Sequence, residues 1–202
     1  MMNNKTLNYY DTNAESFIEN TIGVDFTTTQ EHFLSYLGDD ACILDFGCGS
    51  GRDTKCFLEQ GYQVEAIDGS AMLCKKASEY TGIAVKHMLF QDLNEINRFD
   101  GIWACSSILH LNKEELLPVL YKIKDALKPG GVLYTSFKYG DFEGERNGRY
   151  FTNFTENSFH EYIKSLEELS ESRLSIVETW ITGDVRAGRG DERWLNLILQ
   201  KE

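Results

Sequence analysis

The sequence predicts an α/β protein: a doubly wound, mostly parallel seven-stranded sheet whose last strand runs antiparallel. Three observations carry this. Strand-like and helix-like stretches alternate five times along the chain. The first strand, residues 43–46, runs straight into a turn with glycine at every second position, Gly47, Gly49 and Gly51. Near the C-terminus two strand-like runs, 174–181 and 194–200, are joined by a Gly/Arg/Asp loop with no helix between them. That joint must be a hairpin, so the last strand is antiparallel to its neighbour.

Residues 8–20 read as a short capped helix, with Thr12 or Asn13 as N-cap. Thr27 opens a second helix whose apolar stripe is Phe33, Leu34 and Leu37, ending at Gly38. The strand at 43–46 is followed by a helix over 53–60. A second strand, 63–67, ends in Asp68-Gly69-Ser70 and leads to a helix over 71–80. The third strand is expected at 84–90, stopped by Gln91-Asp92, and the fourth at 99–105. Leu116, Leu117, Leu120 and Ile123 have helical spacing within 113–127, with Pro118 early, where a helix tolerates it. Lys128-Pro129-Gly130-Gly131 breaks the chain before a fifth strand at 132–137, and a last helix is expected at 155–169.

With 202 residues, the chain suits one domain with a sizeable core. No apolar run approaches the length of a membrane span, and residues 1–5 have no apolar export core. The five cysteines form no C-x-x-C pair and lie in apolar or near-strand positions, as reduced thiols of a cytoplasmic protein do. A formal charge of −12 argues against a nucleic-acid partner, which needs a basic surface. Nothing in the sequence fixes the oligomeric state.

A strand that ends in glycines and feeds a helix gives a ligand close backbone approach and a set of N–H groups. A dinucleotide fingerprint would place its third glycine at position 52, which is Arg52. The sequence instead reads D-x-G-x-G-x-G from Asp45 to Gly51, which resembles motif I of the class I S-adenosylmethionine (SAM)-dependent methyltransferases. V-E-A-I-D-G-S-A-M-L at 64–73, F-Q-D-L at 90–93 and L-K-P-G-G-V-L at 127–133 are similar to further motifs of that family. The likeness covers residues 8–140, and the hairpin tail closes the Rossmann-like sheet of the family.

In an open parallel sheet the ligand lies across the carboxyl ends of the strands. Asp68, 19 positions after Gly49, suits a ribose diol, or else simply caps the following helix. The resemblance implies that Gly47 and Gly49 lie against the methionine part of SAM with Asp45 beneath them, and that Asp68 holds the ribose. Met72 or Phe90 would border the adenine, Asp92 would receive its amino group, and the backbone near Cys105 would face the methionine ammonium. Cys48, Arg52, Gly69, Ser70, Gln91 and Leu93 complete the expected cofactor contacts, with S-adenosylhomocysteine (SAH) as product.

The sulfonium already activates the methyl group, so the protein mainly positions the reactants. A base is needed only if the nucleophile carries a proton of high pKa. His110, just past the fourth strand, is the candidate base, or a histidine satisfied structurally beside the next helix. Tyr10 could fold over the sulfonium with its hydroxyl or ring face, or simply pack at a helix start. Five of the eight arginines lie in the loops after strands five and six. Lys138, Arg146, Arg149, Tyr150, Arg186 and Arg193 there would recognise an anionic or carboxylate-bearing acceptor, or pair with Asp184, Asp191 and Glu192 in solvent.

No N/D-P-P-Y/F follows strand four, no D-x-D or histidine cluster suggests a metal, and the cysteines lack the setting of a pyrimidine-methylating nucleophile. By elimination the acceptor is a small molecule, and the compact build is similar to the tellurite-resistance-type and small-metabolite branch of the family. The expected layout is one domain, with a helical lid at 1–38, the cofactor core at 41–137 and acceptor loops with the closing hairpin at 138–202. The competing reading is a nonenzymatic SAM- or SAH-binding module.

Overall fold

The structure is a computed structural model that describes residues 4–167, 173–186 and 188–202. The N-terminal part comprises α1 (Asn4–Thr12), α2 (Ala14–Glu19) and α3 (Thr27–Leu34). The sheet then begins with β1 (Cys42–Phe46), α4 (Arg52–Glu59), β2 (Gln63–Asp68), α5 (Ala71–Thr81), β3 (Lys86–His87) and β4 (Phe99–Ala104). It continues through α6 (Lys113–Ala126), β5 (Leu127–Lys138), β6 (Glu143–Arg146), β7 (Arg149–Thr152), α7 (Glu156–Glu167), β8 (Leu174–Gly183) and β9 (Arg193–Lys201). Short 3-10 turns occupy Phe90–Asp92 and Ile108–His110.

Seven strands form one sheet in the order β3-β2-β1-β4-β5-β9-β8. The first five pair in parallel, and β9 runs antiparallel to both β5 and β8. The helix-free joint is therefore a hairpin, as its residues predict. The chain turns outward from β1 to β2 and returns to β4 on β1's other side, so a cleft opens above the carboxyl ends of β1, β2 and β4.

Both faces of the sheet are covered, which is why its strands read as continuous apolar runs. Ile43, Trp103, Val132, Tyr134 and Ile198 pack with Phe33 of α3 and Phe57 of α4. On the opposite face Leu44, Phe46, Ile67, Ile102 and Leu133 meet Leu116, Leu120 and Ile123 of α6. Trp103 and Tyr134, neighbours across β4 and β5, stack at 4.1 Å in the middle of the first layer. Each such fully buried side chain contributes roughly 1.5–3 kcal/mol.

Several boundaries differ from expectation. The first helix breaks at Asn13, whose side-chain amide donates back to the Tyr9 carbonyl (2.8 Å) and makes no cap bond to α2. The third strand shrinks to Lys86–His87, because both residues are exposed at the sheet edge and Phe90 turns inward against Phe46 (4.7 Å). α3 stops at Leu34, and β5 begins five residues early at Leu127, carrying Pro129 and the glycines within it. The expected loop after strand five folds into the β6–β7 hairpin, turning on Asn147 and Gly148, both with positive φ (51° and 77°). That is the backbone of a type I′ turn. Residues 168–169, the expected end of the last helix, lie outside the described residues.

Gly47 shows why the β1–α4 turn must be bare. Its φ is +92°, and a Cβ there would lie 2.5 Å from the Ser107 Cβ. Gly61 has nearly the same φ (+91°) with nothing within 4 Å of its would-be Cβ. Gly61→Ala should therefore cost only the backbone term, about 1–2 kcal/mol. Gly47→Ala should cost about 1–3 kcal/mol more, because Ser107 is fixed by a bond to the Phe46 carbonyl (2.6 Å). Urea unfolding of both variants checks the difference; equal losses would mean that the contact with Ser107 relaxes freely.

Candidate functional site

The floor of the cleft is the β1–α4 turn. Asp45 lies beneath it, buried, and accepts a hydrogen bond from the Thr54 hydroxyl (2.5 Å). Burial, followed by the negative charge of Asp53, pushes its carboxyl well above the usual range. The turn spends its own N–H groups internally. Those of Gly47 and Cys48 go to the Ile67 carbonyl (both 3.0 Å), that of Gly51 to the Cys48 carbonyl (2.9 Å), and that of Gly49 to Asp68 (2.9 Å). The turn therefore offers a ligand shape more than donors. Gly49 faces the lid side: a Cβ there would approach the Phe17 ring to 3.0 Å.

Asp68 closes β2. One oxygen accepts from the Gly49 N–H (2.9 Å), the other from the Ser70 N–H (2.8 Å). Two accepted bonds leave lone pairs on both oxygens for two further hydroxyl donors. Ser70 caps α5 by accepting from the Leu73 N–H (3.1 Å) and donates its hydroxyl to Asp11 of α1 (2.6 Å). Cys48 and Cys105 line the cleft as protonated thiols, since burial pushes Cys105 up to about 12 and Cys48 well above its ordinary value. Neither is a nucleophile.

Opposite Asp68, α4 opens with a charge network. The Arg52 guanidinium holds Asp53 through two bonds (2.8 and 2.9 Å). Asp53 also accepts from the Gln30 amide (2.6 Å) and the Trp103 indole N–H (2.9 Å). Arg52 lies over the Phe26 ring at 4.5 Å. Both residues of the pair line the cleft, and the pair is self-neutralising.

The wall facing the turn carries His110 and Tyr10. The Tyr10 hydroxyl and His110 Nε2 are 2.7 Å apart, and His110 Nδ1 is 2.6 Å from the Tyr150 carbonyl. A carbonyl can only accept, so Nδ1 carries the proton and Nε2 takes the tyrosine's hydrogen bond. Burial, with Arg149 and Lys138 nearby, lowers the imidazole to about 4. It is neutral at physiological pH. Thr6 of α1, fully buried, accepts from the Tyr150 N–H (3.0 Å), so Tyr150 both anchors α1 and orients the histidine.

Of the expected cofactor residues, Gly47, Cys48, Gly49, Arg52, Asp68, Gly69, Phe90 and Cys105 line one cleft with Tyr10 and His110. Asp45 and Ser70 lie buried just behind it. Leu93 belongs to the core, and Met72 (40% exposed) and Asp92 face solvent. Gln91 keeps both amide atoms buried without a partner. On the acceptor side Lys138, Arg149 and Arg186 line the cleft. The Tyr150 hydroxyl turns to Glu143 (3.2 Å), Arg146 lies on Phe142 (4.4 Å) and Arg193 on Tyr139 (5.2 Å). Arg186 is held by Asp184 (2.8 and 2.5 Å), and Lys138 by Glu192. Sequence reasoning missed Phe17, Asp11 and Asp53, and only Asp53, in the first turn of α4 after the glycines, carried a local signal. Among the described residues no group of three or more His, Cys, Asp or Glu could hold a metal, and no helix is long and apolar enough to cross a membrane.

Strand order, bare turn, the carboxylate that closes β2 and the antiparallel tail together define the class I methyltransferase fold. The methyltransferase-domain family matches residues 43–131. An uncharacterized methyltransferase of Geobacillus kaustophilus is 29% identical over 188 residues, covering 84% of this chain and 86% of its own. N-terminal Xaa-Pro-Lys N-methyltransferase 1-A of Xenopus laevis is 32% identical over 102 residues, 46% of each chain. Among solved structures, 1,6-didemethyltoxoflavin-N1-methyltransferase of Burkholderia thailandensis, with 1,6-didemethyltoxoflavin and SAH bound, superposes with a TM-score of 0.75. It is 22% identical and covers 96% of this chain and 86% of its own. The chain carries a methyltransferase domain on the class I methyltransferase fold; it is an enzyme, a SAM-dependent methyltransferase, and SAM is its cofactor.

The His110 environment makes a titration prediction. A ring held neutral to about 4, against an ordinary 6.5, contributes stability that is fully present above 6.5 and lost as pH falls toward 4. Nitrogen-15 spectra of the histidines should show His110 as the Nδ1–H tautomer with a midpoint near 4. In Tyr10→Phe the midpoint should move up, since the bond favouring the neutral ring is lost. A wild-type midpoint near 6.5 would show the ring to be solvated and unpaired.

Proposed function

We propose that this enzyme methylates a small, anionic organic acceptor bearing an O–H or N–H nucleophile, in a cleft roofed by the N-terminal helices. The observation that supports this reading is the line from Tyr10 through His110 to the Tyr150 carbonyl, in which a neutral imidazole with an unprotonated Nε2 stands beside a hydroxyl at the cleft wall. Residues 41–137 serve as the cofactor core, 1–38 as the lid and 138–202 as the acceptor side of a single domain. A cytoplasmic setting accords with five free cysteines.

The residues present fit SAM: Gly49 keeps the turn's cleft face bare, and Asp68 has unused lone pairs on both oxygens. When bound, the cofactor supplies a methyl group already activated by its sulfonium. Gly47 and Gly49 would border its methionine part above Asp45, with Cys48, Arg52 and Cys105 alongside. Asp68 would hold the ribose diol, flanked by Gly69 and Ser70. Phe90 would border the adenine, with Met72, Gln91, Asp92 and Leu93 on the segments around that end. Tyr10 would accept the nucleophile's proton as His110 Nε2 takes the tyrosine's own.

Charge at the wall favours an anion over a peptide amine. Arg149 faces the cleft beside His110. The Xenopus relative is named for an Xaa-Pro-Lys N-terminus, which is cationic; such an acceptor would meet like charge here. A heterocyclic metabolite or a chalcogen oxyanion would both meet the arginine favourably.

Calorimetry should find tight binding of SAM and SAH and none of NAD. Asp68→Ala should weaken SAM about 10- to 100-fold, the loss of charge-assisted hydrogen bonds. Methyl transfer from labelled SAM should then be found with small carboxylates carrying amino or hydroxyl groups and not with an Xaa-Pro-Lys peptide. Turnover of the peptide alone would sink the small-acceptor reading, and an unchanged SAM affinity in Asp68→Ala would sink the ribose assignment.

A further inference from the structure

We infer that the acceptor's charge is read by Arg149 alone, and that the acceptor is therefore a monoanion carrying a planar carboxylate. The inference rests on the cleft being the methyl-acceptor site. It replaces a diffuse arginine cluster by a single anchor.

Counting charges around the cleft leads to this residue. Arg52 is neutralised by Asp53 and Arg186 by Asp184, each through two hydrogen bonds. Lys138 is paired with Glu192, which Arg189 also approaches at 4.0 Å. Arg149 also lines the cleft, and among the described residues no carboxylate pairs with it. Its Nε is buried without a hydrogen-bond partner. An unmet donor of this kind is costly unless a ligand or water satisfies it.

The guanidinium is also held in place. It lies 4.4 Å from the Tyr9 ring centre, 5.2 Å from Phe151 and 5.8 Å from Tyr10. Aromatic faces on several sides stabilise the cation and fix its plane without neutralising it. A planar fork held this way matches a carboxylate, which accepts two parallel N–H bonds. A phosphate monoester brings about one charge more. The buried cations of the cleft are already paired, and Arg189, which shares Glu192 with Lys138, has a side chain 41% exposed to solvent, so that second charge would stand largely uncompensated in a buried wall near Asp68 and Asp184. The Tyr10 hydroxyl adjoins the same guanidinium, so the acceptor's carboxylate and its nucleophilic atom lie close together in the molecule.

The test uses the full chain saturated with SAH and three flat probes: benzoate, benzamide and phenyl phosphate. Calorimetry should find benzoate bound about tenfold or more tighter than benzamide, and phenyl phosphate no tighter than benzoate. Arg149→Gln should lose the preference for benzoate while still binding SAH, which shows the variant is folded. Arg149→Lys, keeping the charge but not the fork, should fall between, and removing the neutral pair together, Arg186→Gln with Asp184→Asn, should retain benzoate binding within about twofold. The wild-type Arg149 Nε–H resonance should shift on adding benzoate.

If benzoate binds no better than benzamide or not at all, if phenyl phosphate binds far tighter, or if Arg149→Gln binds benzoate like wild type, the anchor is wrong while the methyltransferase reading stands. Failure of the wild-type chain to bind SAH would overturn the reading beneath it.

Discussion

The glycine turn after β1 is the constraint on which everything else depends. Three separate parts of the chain come within contact of its backbone: Ser107 after β4 at Gly47, the Phe17 ring from α2 at Gly49, and Thr81 and Ala77 of α5 at Gly51. Any side chain at these positions would hold one of these neighbours away. Because the turn is bare, the carboxyl ends of β1 and β4 can converge, and the Asp68 carboxylate can reach the Gly49 N–H. The cleft exists because the backbone there takes up so little room.

Convergence of that kind concentrates carboxylates. Asp45, Asp53 and Asp68 are all buried around one turn in a chain of net charge −12. The structure handles each differently. Asp53 is matched by Arg52 and two neutral donors. Asp45 has the Thr54 hydroxyl, and burial drives its carboxyl toward the protonated form. Asp68 has two backbone donors, and its pKa too is raised by burial. Of the three, Asp68 both lines the cleft and, among the described residues, makes no ion pair with a lysine or arginine, which suits a ligand that brings hydroxyl donors and positive charge.

What could be read from the sequence follows from locality. The bare turn, the acid closing β2 and the helix-free tail are demands of a few consecutive residues, so they were legible. The β6–β7 hairpin was legible too and was passed over: Asn147-Gly148 is the dipeptide a type I′ turn requires. The meetings that make the wall were not legible. Tyr10 reaches His110 across 100 positions, and Asp11 reaches Ser70 across 59. No periodicity encodes such pairs. The arginines failed for a subtler reason. Their presence in the two loops was plain, but whether each faces the cleft or a neighbouring carboxylate depends on hairpin register and rotamer. Arg186 found Asp184 two residues away, whereas Arg149 found aromatic rings and the Tyr10 hydroxyl.

α1 carries this one step further, because it touches both halves of the site at once. Thr6 and Lys5 fasten it to the β6–β7 hairpin at Tyr150 and Glu145, while Asp11 fastens its other end to Ser70, the cap of α5. Nine residues of helix span about 13 Å. Tyr10 sits between those anchors and completes the dyad with His110. One helix therefore joins the loop that opens α5 to the wall that carries His110, and the Tyr10–His110 contact sits between its two points of attachment.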